Sequence, residues 1–436
     1  RSKTLTQTPH ASRMGLRHPE TFWRFQGWGL LVLIVMSFFP TQFHYQEYVF
    51  FALLILAIGV SGIGGQTIWV RTPIDWPILL LIVWVLFTIP FALDQAHSFT
   101  EWRKLAGRFL VFYWALLVFQ RQRQDQFIFH VSLAVMVGAF SISGYAIWDF
   151  IERGGTLVHR GVRAVAPSSH SHWLATYLVM AWPIVFFLLM TARQAWKRLI
   201  ILCILLFITG AEFLAFSRGA WVAIVLQVGF AAFAFGGRRV GLGVMVGIVF
   251  GAVGLWSINQ QGYIGGVFEF TSMADRLGCW QLGMKEIFAH PVFGVGFGND
   301  TFAKIYPGDP PGECTTGSSL PTGAHLHNTL LMFAMGSGIP AFILLVGILI
   351  KGLKVLVEGV ELSTANGSDA FRVAIGLLLV GFWTCAFFNY LFTGSLSYLF
   401  LILLAGGMSL GWSSVSERYR ERRYFGKSER RNETTT

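Results

Sequence analysis

The chain has 436 residues, of which 54% are hydrophobic and only 13% charged. Globular domains usually carry about 25% charged residues, so this composition excludes a soluble enzyme and describes an integral membrane protein. The formal net charge of +11 gives no case for nucleic acid as a partner. Its basic residues sit between apolar runs and at the termini, where anionic headgroups and membrane topology account for them.

A spanning helix needs roughly 20 apolar residues. Apolar runs of about that kind predict an all-α polytopic membrane protein with about twelve transmembrane helices. They lie near Gln26–Phe39, Tyr48–Gly62, Trp76–Phe91, Ala106–Phe119, Phe127–Trp148 and Trp173–Thr191. The second half adds Leu199–Phe216, Ala220–Phe235, Val240–Ile258, Thr329–Ile350, Phe371–Phe392 and Ser395–Trp412. One helix over Leu199–Phe235 is too long for a bilayer, so a tight turn is expected at Ser217–Gly219. No cleavable signal peptide is visible, and the first apolar run reads as a span.

An even number of spans puts both termini on one side. With that side go about 23 of the 33 Lys and Arg residues, and the positive-inside rule assigns it to the cytoplasm. The expected layout is a cytoplasmic segment over 1–25 and a transmembrane domain over 26–412. A long periplasmic loop with short helices covers 259–327, and a cytoplasmic tail covers 413–436. Three outer segments then bring cations to one surface: Arg153, Arg160 and Arg163 after the fifth span, Arg218 in its turn, and Arg276 in the long loop.

Most of the polar chemistry gathers between Asn259 and Gly338. Met273, Arg276, Trp280, Gly283 and Ile287 fall on one face of a predicted helix. Arg276 there can stack on Trp280, or point into a polar cavity and bind phosphate through its fork. Gly294-Val-Gly296-Phe-Gly298 lacks the dinucleotide-binding spacing; it reads as turns, with some scope for presenting amides to an anion. His325 and His327 have no carboxylate or cysteine partners at metal-ligand spacing. They suit proton transfer from a hydroxyl, or flank a helix capped by Asn328. Cys279 and Cys314 share the loop and can pair if it faces an oxidising compartment.

In their order and common side, these motifs resemble the O-antigen ligase/polymerase family. The residues that carry the resemblance are Arg276-(x3)-Trp280, His290-Pro-Val-Phe-Gly-Val-Gly-Phe-Gly-Asn299, His327-Asn-(x9)-Gly338 and the Ser217-Arg218-Gly219-Ala-Trp221 turn. Ala341 departs from the Gly, Thr or Tyr that ligases tend to have there, which bears on the subfamily. The resemblance implies glycan transfer from undecaprenyl diphosphate at the outer side of the bacterial inner membrane. Arg218 and Arg276 would hold the lipid diphosphate, and His327 or His325 would act on the acceptor hydroxyl. Arg160, Arg163, His170 and His172 can add phosphate contacts. Trp173, Trp221 and Trp280 can stack on sugars or sit in the interfacial aromatic belt.

The compact chain favours a ligase with a lipid A–core acceptor over a polymerase or a protein O-oligosaccharyltransferase. The activated diphosphate requires no metal, ATP or other cofactor. One base and no evident carboxylate nucleophile point to displacement with inversion. A transporter is the alternative of another class. Intramembrane ionisable residues mark such pathways, and Glu212 is the clearest here.

Overall fold

A computed structural model of the protein describes residues 19–39, 45–63, 70–122, 124–156, 162–167, 170–260, 271–306, 326–358, 360 and 367–411. Among these residues every regular element is helical. The elements are α1 (Pro19–Ser37), α2 (Tyr45–Ile63), α3 (Asp75–Thr88), α4 (Gln95–Arg121), α5 (Gln124–Glu152) and α6 (Ser171–Thr191). There follow α7 (Ala195–Leu214), α8 (Arg218–Gln260), α9 (Thr271–Ala289), α10 (Thr301–Ile305), α11 (Thr329–Val357), α12 (Gly367–Phe388) and α13 (Gly394–Gly411).

Among the described residues, five helices are long and apolar enough to cross a membrane: Asp125–Glu152 within α5, then α6, α11, α12 and α13. Each of the twelve predicted apolar runs lies on a helix, yet several of those helices are shorter or more charged than a span demands. The outer helices show what surrounds them. Ile55 of α2, Leu80 of α3, Leu206 of α7 and Phe250 of α8 are more than half exposed. Large apolar side chains in such numbers belong against hydrocarbon rather than water.

Inside the bundle, apolar packing surrounds a few buried polar ties. Gln227 of α8 is fully buried and its Nε2 donates to Val179 O of α6 and Leu377 O of α12, both at 3.0 Å. Gly381 leaves it room, since a Cβ there would lie 2.1 Å from that nitrogen. Tyr177 of α6 meets Ser395 of α13 at 2.7 Å. Gln26 joins three helices, donating to Leu53 O at 3.1 Å and accepting from Trp114 Nε1 at 2.9 Å. In a low-dielectric interior an unpaired amide is costly, so such bonds fix which helices are neighbours.

Breaks in the helices define the site's framework. The α7–α8 turn falls at Ala215–Ser217, slightly before the expected Ser217–Gly219, because Arg218 already begins α8. Phe216 takes a left-handed φ of 47° there, and Phe213 stacks on Trp221 at 5.2 Å across the turn. Gly237 (φ 73°) breaks α8 between the two predicted apolar runs. The run expected to continue to Phe392 stops at Phe388, and 389–393 form a turn. Charged residues at the start of the 27-residue α4 precede its apolar run, and Arg108 is buried in the same continuous helix.

Candidate active site

A cavity of about 200 Å³ opens where the starts of α6, α8 and α11 meet α9. Its polar wall holds Arg163, Ser171, His172, Ser217, Arg218, Arg276, His327 and Asn389, with Phe216 and Phe388 among its apolar lining. The structure therefore brings Arg163, Arg218 and Arg276 together from three segments far apart in sequence. Among the described residues, none that lines the cavity is a carboxylate.

Each cation is set by local structure. The 162–167 segment is pinned to the end of α7 by Ala164 N donating to Leu214 O at 3.0 Å. Arg163 O accepts from Arg153 Nη2 at 2.7 Å, and Arg153 also pairs with Asp149 of α5. Ser217 O accepts the amides of Ala220 and Trp221, both at 3.1 Å, so Arg218 occupies the first turn of α8. A cation is unfavourable at the positive end of a helix dipole. Burial, followed by the charges of Arg218 and Arg163, holds the Arg276 guanidinium below the usual arginine range. Arginine nevertheless stays protonated at neutral pH. The cavity concentrates positive charge that an anion would relieve.

Helix ends add to that charge. Ser171 and His172 open α6, Arg218 and Gly219 open α8, and His327 stands just ahead of α11. Amino-terminal amides and their dipoles form ready-made phosphate sites. His172 also lies within electrostatic reach of His170, His327, Arg276 and Arg163.

His327 is held in an uncommon conformation, with φ 48°. Such a backbone is sparsely populated for residues other than glycine and persists where neighbours over-determine it. Here Leu326 is fully buried, and its carbonyl accepts Trp280 Nε1 at 2.9 Å. Gly283 of α9 makes the approach close, since a Cβ there would lie 2.4 Å from Leu326 Cδ1. On the other flank, Asn328 caps α11 by accepting from Leu331 N at 3.0 Å. Thr329 Oγ1 donates to Asn389 O at 2.8 Å and accepts from Leu391 N at 3.1 Å, fixing the 389–393 turn.

Trp280 and Asn328 thus build the wall behind His327 rather than lining the cavity. Trp280 packs edge-on against Phe387 at 5.2 Å. His170 lies beside the cavity, its ring 5.3 Å from His172 and 5.1 Å from Trp173, and burial holds it below the usual histidine range. His325 and Arg160 lie outside the described residues. Sequence reasoning missed Asn389, because it sits inside an apolar run; the Asn-Tyr pair interrupting that run was the available signal.

The glycine segment after His290 is structural. Three of its amides are taken: Gly294 N donates to His290 O at 3.1 Å, Val295 N to Met335 O at 2.9 Å and Gly296 N to Gly336 O at 3.0 Å. The last two satisfy carbonyls freed where α11 breaks at Ser337 and Gly338. Cys279 is disulfide-bonded; the expected partner, Cys314, lies outside the described residues.

These features define a multi-pass helical membrane protein with an arginine-rich cavity at one end of its bundle. Residues 203–346 match the family model described as O-antigen ligase, so the likeness read from the motifs is borne out. The match covers about a third of the chain and includes Arg218, Arg276, His327 and Gly338, whereas Arg163 and His172 lie outside it. It supports an enzyme of glycosyl transfer in general. No curated protein matches the chain.

Proposed function

We propose that the protein is an O-antigen ligase. It transfers a glycan from undecaprenyl diphosphate to a hydroxyl of the lipid A–core oligosaccharide on the periplasmic face of the bacterial inner membrane. The observation that carries this reading is the meeting of Arg163, Arg218 and Arg276 with His327 around one cavity. The disulfide at Cys279 supports an oxidising compartment for that face, and the positive-inside distribution supports cytoplasmic termini. The twelve-span layout and the 259–327 periplasmic loop belong to the same proposal.

In this mechanism Arg218 and Arg276 hold the diphosphate, and Arg163 extends the grip. His327 takes the proton from the acceptor hydroxyl as its oxygen attacks the anomeric carbon. The bond from that carbon to the diphosphate oxygen breaks on the opposite face, with inversion. Charge grows on the leaving diphosphate, where preorganised guanidinium groups and helix amino termini stabilise it most. His325 is the second candidate for the base. His170 and His172 line the approach to the phosphate.

Purified protein, undecaprenyl-diphosphate-linked glycan and lipid A–core form the test. Wild type should elongate the core, and His327→Ala should lower the rate by about 10²–10⁴-fold, the usual worth of a general base, with membrane insertion intact. Full transfer by both His327→Ala and Arg276→Ala would contradict the reading. Transfer only to a second lipid-linked glycan or only to a pilin-like protein would make it a polymerase or a protein oligosaccharyltransferase.

A further inference from the structure

A second cavity, of about 610 Å³, lies at the opposite end of the bundle from the basic one. It sits beside the α4–α5 junction, whereas α5 ends next to the Arg153–Arg163 contact. The 29 residues of α5 separate the two ends by about 43 Å at the usual helical rise. Its volume is that of a site for a sizeable ligand.

Two arginines line it, Arg24 of α1 and Arg121 in the last turn of α4, with Glu20 the one carboxylate among the described lining residues. Arg121 is set over the Trp23 ring at 5.4 Å, a cation–π contact that orients the guanidinium plane. Gln122 Nε2 donates to Trp23 O and ties α1 to the end of α4 beside the cavity. At the rim, Trp28 is 64% exposed and faces the His130 ring of α5 at 6.3 Å. The adjoining outer face of α1 is apolar, with Phe25 and Val32 more than half exposed.

We propose that this cavity binds the phosphodiester headgroup of an anionic phospholipid, with the acyl chains lying along the exposed face of α1. The charge pattern selects an anion, and the apolar wall beside it selects one that carries hydrocarbon. Basic pockets between helices at the membrane–water boundary recognise such headgroups, and an indole at the rim suits the same depth. The site is independent of the reaction proposed above.

The test uses the full chain in neutral detergent, with bound lipid counted by native mass spectrometry. Phosphatidylglycerol should be retained on wild type in clear excess over phosphatidylcholine. The double variant R24Q/R121Q should bind it about thirtyfold more weakly, the combined worth of two cations at a headgroup. R24K/R121K should recover most of the binding, and inorganic phosphate should fail to displace the lipid. Equal retention by R24Q/R121Q and wild type, or equal retention of phosphatidylcholine, would overturn the proposal. Complete displacement by inorganic phosphate would make this a free-anion site and overturn it too. If R24Q/R121Q loses its helical circular dichroism, the lysine pair decides. Wild-type retention by that pair supports the proposal, and background retention overturns it.

Discussion

Substitution of Arg276 tests the proposed function apart from stability at a single position. Its burial next to Arg218 and Arg163 is unfavourable without an anion, since like charges in a partly dehydrated site repel. Arg276→Gln should therefore leave the melting temperature of ligand-free protein unchanged or raised. The same variant should lower transfer by about 10²–10³-fold, the usual worth of one preorganised donor to a developing anion. Differential scanning fluorimetry alongside a transfer assay checks both halves, and a large loss of stability would show that Arg276 is mainly structural. His170 has a different signature. Burial lowers its pKa from the ordinary 6.5, so above that value both folded and unfolded forms are neutral and the group contributes nothing. Below it the unfolded chain binds the proton more readily, and stability falls with pH. The loss of melting temperature between pH 7 and pH 5.5 should be smaller in His170→Gln than in wild type.

The elements place those residues through α9 and the broken α11. Trp280 ties α9 to the peptide ahead of His327, so Trp280→Phe should leave Leu326 O without its donor. The expected loss is about 1–3 kcal/mol of stability, read by denaturant unfolding, together with a slower transfer step. Gly338 is more demanding. Its φ is 80°, and a Cβ there would lie 1.9 Å from the backbone oxygen of Val292. Gly338→Ala should misfold the α11 break, with little protein recovered from the membrane fraction; wild-type yield and melting temperature would contradict this packing. The break was only partly legible in the sequence. Gly338 stood out through its spacing from His327, but the role of the 294–298 glycines did not. The amides of Val295 and Gly296 answer carbonyls on α11 that are distant in the chain, and no local pattern encodes such a partner. The shared face of Arg276, Trp280, Gly283 and Ile287 was legible because 3.6-residue periodicity is local.

Across the whole molecule, composition and apolar runs were enough to identify an all-helical membrane protein, because hydropathy reports solvent directly. They did not fix how many helices are long and apolar enough to cross, since α4 and α8 mix charged or glycine-broken stretches with apolar ones. The residues alone suggested a common side of the membrane for Arg163, Arg218 and Arg276, and the family resemblance a shared diphosphate for Arg218 and Arg276; helix packing places all three around one cavity. Convergence of three helix starts on it was invisible to any residue pattern. Equilibrium binding of undecaprenyl diphosphate to the purified protein tests whether this cavity grips a lipid diphosphate. Wild type should bind, Arg218→Gln and Arg276→Gln should each weaken binding at least about tenfold, as loss of a charge-assisted contact does, and affinity should fall as salt rises. Equal affinity in wild type and both variants, unaffected by salt, would contradict diphosphate binding at this cavity.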